Sequence, residues 1–273
     1  MGKVIMSGVS KGMTAPSTLP PVGTALNDMS WEDIRKISDA GFAPYYFSVG
    51  DRKEVVLNGT VGNFTLSNYT TYAFIIGIDH NAELEGGNRI HFQIGKTALT
   101  DGTDIALCDN KWSYAVSETG YFSMNSSNTN SGGWVSSQMR TNICEAMKSV
   151  IPAELLAVLK SVTKYTDNTG GGGLAESRVT ATTEYFFLLS ECEVSGTSTR
   201  GNTYESSKQA QYAYYLAGND AKKYNHTSTS TAVFWWLRSP TRSSTSFVIV
   251  DTAGTCYAED ATRSRGFAPA FCV

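Results

Sequence analysis

Charge is scarce in this chain. Asp, Glu, Lys and Arg make up only 17% of its 273 residues, and the net charge is −3. A nucleic-acid partner would need a basic face to neutralise phosphates, and a net charge of −3 gives no such footprint. Long apolar runs are missing too. No segment reaches the ~18 residues of a membrane-spanning helix, and Met1 to Val22 lacks the continuous apolar stretch of a signal peptide. The expectation is a soluble protein with no membrane insertion and no nucleic acid. The five cysteines, Cys108, Cys144, Cys192, Cys256 and Cys272, lack CxxC or other metal-ligand spacing. Their odd number argues against a secreted disulfide framework and for buried, reduced thiols.

Catalytic signatures are equally absent. No HExxH, GxSxG, P-loop or GxGxxG occurs, and Gly170 to Gly173 is a plain glycine run without the strand–helix context of a phosphate cradle. His80, His91 and His226 are scattered. Asp79, Glu83 and Glu85 fit no calcium-loop spacing. No catalytic residue, no metal and no cofactor is therefore expected.

Ser, Thr, Asn and Gly fill the place of the missing charge, while hydrophobic residues stand at 41%, near the globular norm. Such a composition favours a β- and loop-rich protein with a hydroxyl-bearing surface. Residues 1–26 form a Ser/Gly/Thr/Pro mixture that reads as an N-terminal arm or tether. Ser30 then caps a helix whose Trp31, Ile34 and Ile37 share a face, and Gly41 ends it. Short β-like runs follow: Glu54 to Leu57, Tyr72 to Ile76 and Ile90 to Ile94, separated by turns at Asn58-Gly59 and Gly86-Gly87. A second helical region is expected over 137–160, with Arg140, Ile143, Met147 and Val150 in helical spacing and Pro152 interrupting it. Thr166 to Leu174 reads as a mobile surface loop, Tyr185 to Leu189 as a buried strand, and Ser195 to Ser207 as a long polar loop. The fold class is α+β, with two helices packed on small twisted antiparallel sheets.

The last forty residues divide into frame and filling. Phe234 to Pro240 and Gly266 to Phe271 carry large aromatic rings, each able to bury roughly 150–250 Å². Between them, apart from Phe247 to Val250, lie Thr, Ser, Arg, Ala and Asp. Trp235, Trp236, Phe267 and Phe271 read as core, and Arg238 as a donor to backbone carbonyls. A strongly specified frame around a loose insert suggests a scaffold that displays a surface.

Several blocks resemble a bacterial and phage domain family of unknown function. They are Trp31 to Ile34 with Ser38 to Gly41, Val49 to Asp51, Gly133 to Arg140, Pro152 to Leu155, Phe187 to Val194 and Trp236 to Pro240. That family is similar to the C-type lectin fold, in the branch shared with formylglycine-generating enzymes, and the resemblance implies one C-type lectin-like ligand-binding domain over residues 27–273. The C-terminus further resembles variable proteins of diversity-generating retroelements, including phage tropism determinants, whose last segment is hypermutated at template adenines. Asn codons ending in a pyrimidine cannot become Lys, Glu, Gln, Met or Trp by that route. Between Thr241 and Arg265 these five types occur once, as Glu259, where ordinary composition would give on the order of five.

The resemblance implies a display protein whose variable segment, about residues 241–265, recognises a protein or glycan ligand on a host cell. It also implies a virion (phage tail) or bacterial cell-surface location, and a homotrimer or phage tail component as the assembly. The expected ligand-binding residues, solvent-exposed and grouped on one surface, are Thr241, Arg242, Ser244, Thr245, Ser246, Tyr257, Asp260, Thr262, Arg263 and Arg265. The alternative it implies is an oxidoreductase of the formylglycine-generating type, or an inactive relative. Those enzymes bind copper through closely spaced cysteines, a spacing that Cys256 and Cys272 do not copy.

Overall fold

A computed structural model describes residues 18–109 and 121–273, and element counts refer to these residues. It is an α+β molecule with few helices and several small, mainly antiparallel sheets. The Ser30 hydroxyl accepts the Asp33 N–H at 3.0 Å and starts the helix Trp31–Asp39. Trp31, Ile34 and Ile37 on its inner face are buried. Ahead of it Leu26 is also buried, and the Tyr46 hydroxyl donates to Pro20 O at 2.6 Å. Most of the expected arm, residues 1–17, lies outside the described residues.

β1 (Arg52–Val61), β2 (Phe64–Ile78) and β3 (Ile90–Lys96) form an antiparallel meander. They are followed by β4 (Ile105–Ala106), β5 (Val162–Asp167), β6 (Val179–Glu184) and β7 (Phe186–Phe187). The remaining strands are β8 (Lys223–Asn225), β9 (Ala232–Val233), β10 (Trp235–Pro240), β11 (Ser246–Val250), β12 (Cys256–Asp260) and β13 (Ala270–Cys272). The main sheet has the order β1-β2-β3-β13-β7, so the last strand of the chain enters between β3 and β7. There Phe271 stacks on Phe92 at 5.2 Å, with Trp31 edge-on to both. Trp235, Trp236, Phe267 and Phe271 are fully buried, as the framing argument requires. Trp236 Nε1 donates to Phe122 O at 2.6 Å and Trp235 Nε1 to Ala221 O at 2.9 Å, so neither indole is left unpaired.

The expected second helix over 137–160 is broken into pieces. Ser137 Oγ accepts the Arg140 N–H at 3.2 Å and a helical run begins. It is wound as a π-helix over Met139–Cys144 and tightens to 3-10 over Met147–Ser149. Pro152, with ψ of 144°, separates this run from the short helix Ala153–Leu156. The wide turn lets Met139, Ile143, Cys144 and Met147 all reach the interior. Asn58-Gly59 is likewise no turn but a bulge within β1, where the ladder slips between Leu57 and Gly59. Gly59 has φ of +136°, and a Cβ there would lie 3.2 Å from Val150 Cγ1, so glycine admits the close approach of Val150.

The loop expected over Thr166 to Leu174 is corrected at its start, while Thr169, Gly171 and Leu174 are exposed. Thr166 and Asp167 are buried in β5 and Gly170 is buried beyond it. Both Thr169 N and Gly170 N donate to Asp167 Oδ1 at 2.9 Å. The strand expected over Tyr185 to Leu189 shrinks to Phe186–Phe187, with Tyr185 exposed and Leu188 and Leu189 buried. No helix among the described residues is long and apolar enough to cross a membrane.

Candidate ligand-binding surface

β10, β11 and β12 make a three-stranded antiparallel sheet. β10 and the central β11 are buried throughout, whereas β12 forms an edge with Tyr257 55% exposed. The exchange of apolar for small polar residues along the sequence thus follows the passage from inner strands to rim. Residues 241–245 connect β10 to β11, closed by Thr241 N donating to Ser246 O at 3.0 Å.

That connection stands on Asn130, a fully buried side chain. Asn130 Nδ2 donates toward Thr241 O (3.2 Å), Ser243 O (2.6 Å) and Ser246 O (2.7 Å), and Asn130 N donates to Ser244 O at 2.9 Å. Its Oδ1 accepts Gly171 N at 2.7 Å. A Cβ on Gly172 would lie 2.6 Å from Arg242 O, and one on Gly170 would strike Asn130 O. The glycine run therefore packs beneath the connection. The bonds that Asn130 donates go to main-chain atoms of residues 241–246, and within the loop the Thr241 and Ser243 hydroxyls accept Ser243 N (3.2 Å) and Thr245 N (3.4 Å).

The expected site residues divide accordingly. Arg242 and Ser244 are exposed along with Tyr257, while Thr245, Asp260, Thr262 and Arg263 are half-buried. Thr245 O accepts the Ala261 N–H at 2.9 Å, which ties the loop to the end of β12. Thr241, Ser246 and Arg265 were expected in solvent and are buried. Thr241 turns its hydroxyl inward to Ser246 O (3.1 Å), and Ser246 sits in the central strand opposite Asp260. Arg265 lies over the Phe234 ring with its Nε 3.0 Å from Glu259 Oε2. It braces the sheet and is not a free contact. Glu259, the one residue of the five excluded types, is the anchor of this brace.

Sequence reasoning missed Arg200. It is exposed, 4.9 Å from the centre of the Tyr257 ring, and its carbonyl accepts the Arg242 N–H at 3.2 Å. The loop carrying it is pinned by the buried Glu191 carboxylate, which accepts Thr199 Oγ1 (2.9 Å), Arg200 N (3.0 Å) and Gly201 N (2.8 Å). Arg200, Arg242 and Tyr257 thereby become neighbours from three segments. The length of the polar loop 195–207 was the available signal.

Beneath the surface lies a buried charge network. Lys164 Nζ donates to Glu85, to Glu193 Oε1 at 2.9 Å and to Tyr212 Oη at 2.7 Å. Arg238 clamps Glu193 through both terminal nitrogens and also meets Leu188 O (2.9 Å) and Thr166 Oγ1 (2.8 Å). The expected carbonyl contact of Arg238 is there, and the carboxylate partner is an addition. Burial pushes the Glu193 carboxyl up, but the charges of Arg238 and Lys164 outweigh it and hold the group well below its ordinary range.

Ligand atoms of His80, Glu85 and Glu193 lie within 4.8 Å of one another, the spacing of a metal-ligand set. The Lys164 ammonium bonds both carboxylates and takes the position of a cation between them. The network is two cations against two carboxylates, all buried. His80 and His91, eleven residues apart in sequence, meet here with ring centres 5.6 Å apart. Burial, and then the Lys164 charge, lower His80 to about 3. His226 is separate, packed edge-on to Phe64 and Tyr69. Asp79, Glu83 and Glu85 do not converge: Asp79 accepts Arg89 N at 3.0 Å, Glu83 is exposed and Glu85 is buried. Cys256 on β12 and Cys272 on β13 belong to different sheets, and burial pushes each thiol up to about 12.

Residues 111–273, more than half of the chain, match the family described as Domain of unknown function (DUF6273), and the chain belongs to that family. No curated protein matches it, and no solved structure does.

Proposed function

We propose that this member of the family is a ligand-binding display protein, either a phage tail receptor-binding protein or a bacterial cell-surface adhesin. On this reading it has a C-type lectin-like fold and a C-terminal segment diversified to meet protein or glycan ligands on host cells. One observation carries the reading. Asn130 and the glycine run meet residues 241–246 at main-chain atoms, while Arg242, Ser243 and Ser244 are exposed. A surface that must accept many side chains without unfolding requires that separation. The Glu259–Arg265 brace adds support, because the residue type that adenine randomisation does not produce is the one with a structural duty. Exposed Arg and Tyr side chains suit recognition, since these types dominate interface hot spots. The protonated, separated thiols of Cys256 and Cys272 favour this reading over a copper-thiolate oxidoreductase.

The test is binding of the purified chain to bacterial cells and to glycan arrays, beside the triple variant Arg242→Ala, Ser244→Ala, Tyr257→Ala. Saturable binding by the parent and its loss in an equally stable variant is the expected result. Equal binding by both would remove the proposed face from function.

A further inference from the structure

A second surface, independent of the display reading, concentrates positive charge at the end of the main sheet. Arg35, Asp39, Asn88, Arg89, Lys160 and Tyr185 line a cleft of about 420 Å³. Its charged side chains are three cations and one carboxylate, an imbalance that contrasts with the acidic chain as a whole. Lys160 is fixed, with Nζ bonded to Ser38 Oγ (2.9 Å), Asn88 O (2.5 Å) and Asp39 Oδ1 (2.7 Å). Burial lowers its pKa, Asp39 opposes the shift, and the nearby charges of Arg35 and Arg89 lower it further. The Arg35 and Arg89 charges thus bear on Lys160, and a bound anion would offset them. Val273, whose oxygen the Ser38 hydroxyl reaches, is not among the residues lining the cleft.

The two guanidinium groups are anchored on one side only. Arg35 bonds Asp39 Oδ2 through Nε (2.7 Å) and Val158 O through Nη1 (3.0 Å). Arg89 bonds Ser161 O through Nε (2.9 Å) and Gly87 O through Nη1 (2.8 Å). Each group has five N–H donors, and among the described residues neither Nη2 has a hydrogen-bond partner. Backbone conformation maintains the arrangement: Gly86 has φ of +98° and a Cβ there would strike the Arg89 guanidinium, while Asn88 has φ of +54°.

We propose that this cleft binds an oxyanion, a phosphate group or a sugar carboxylate, with Arg35 and Arg89 as direct donors and Lys160 as a fixed charge behind them. Planar guanidinium groups match both anions. The cleft is larger than a single phosphate, so the anion belongs to a larger ligand whose remainder meets Tyr185 at the rim.

Titration calorimetry with inorganic phosphate and with glucuronate, at ionic strength held constant with chloride, tests this and separates the two sources. The expected result is saturable binding of at least one probe, weakened about tenfold or more in Arg35→Gln and in Arg89→Gln, as loss of a charge-assisted hydrogen bond requires. Lys222→Gln, at a surface ion pair with Asp220 outside the cleft, should titrate like the parent. Circular dichroism checks each variant; if Arg89→Gln does not fold, Arg35→Gln decides, since Arg35 is only half-buried on its helix and its loss leaves the Lys160–Asp39 pair in place. Absence of saturable binding by either probe, unchanged affinity in the folded cleft variants, or an equal loss in Lys222→Gln would overturn the proposal. None of these outcomes bears on cell or glycan binding by the display face.

Discussion

Replacing Asn130 by Ala should loosen residues 241–246 more than any change within them. The two hydrogens of Asn130 Nδ2 are shared among three carbonyls, with short contacts to Ser243 O at 2.6 Å and Ser246 O at 2.7 Å and a longer one to Thr241 O at 3.2 Å. Ser246 O keeps Thr241 N and Thr241 Oγ1 as donors, and the Asn130 N to Ser244 O bond survives in alanine. Thr241 O and Gly171 N lose their Asn130 partner. Two to three net hydrogen bonds at about 1 kcal/mol each, with one buried carbonyl left unpaired, give a loss of about 3–4 kcal/mol. Asn130→Asp has the same shape but turns an oxygen toward the three carbonyls, and it should cost at least as much. Urea unfolding measures both, and amide exchange at Ser243 and Thr245 reports the loop directly. Arg242→Ala and Ser244→Ala, at exposed positions, should stay within about 0.5 kcal/mol of the parent. If Asn130→Ala costs under 0.5 kcal/mol, or Arg242→Ala costs as much as it does, the loop is held by its own side chains and the reasoning fails.

Two further outcomes follow from the interior. Trp236→Ala or Phe271→Ala should cost about 3–5 kcal/mol in urea unfolding, the range for a fully buried aromatic. His80 is held neutral by burial and by Lys164, at about 3 against an ordinary 6.5. The unfolded chain therefore binds the extra proton, so the stability His80 contributes is complete above pH 6.5 and is lost as pH falls toward 3. His80→Phe keeps a ring stacked on Tyr212, now 3.7 Å away, and the difference in unfolding free energy between parent and variant should change by about 1.4 kcal/mol per pH unit across that window. A pH-independent difference would mean that His80 does not titrate as described.

Much of the scaffold was legible because it rests on local signals. The Ser30 cap, the Trp31, Ile34 and Ile37 face and the β runs of the meander are read within a few residues. The aromatic frame is read from size alone, and Trp235, Trp236, Phe267 and Phe271 are all in the core. What failed was non-local. Gly59 is a bulge and not a turn because Val150, ninety-one residues away in sequence, packs against it. The helix over 137–160 breaks because the interior claims Met139 and Cys144 as well as Ile143 and Met147. Thr241, Ser246 and Arg265 look like surface residues by type, and only the pairing of β10, β11 and β12 turns them inward. Asn130 has no signal in a loop rich in Asn and Ser; its importance comes from partners more than a hundred residues on. Arg200 joins the surface only because Glu191 folds its loop back over β12.

The central claim is that residues 241–245 and the exposed part of β12 display side chains that the fold does not need. Randomising Arg242, Ser243, Ser244, Thr245 and Tyr257 together, and sorting the library by protease resistance before any binding selection, tests it most directly. Most variants should survive protease as the parent does, and binders of different ligands should then emerge from the one pool. A library in which most variants are cleaved, with survivors returning to the parental residues, would contradict the account.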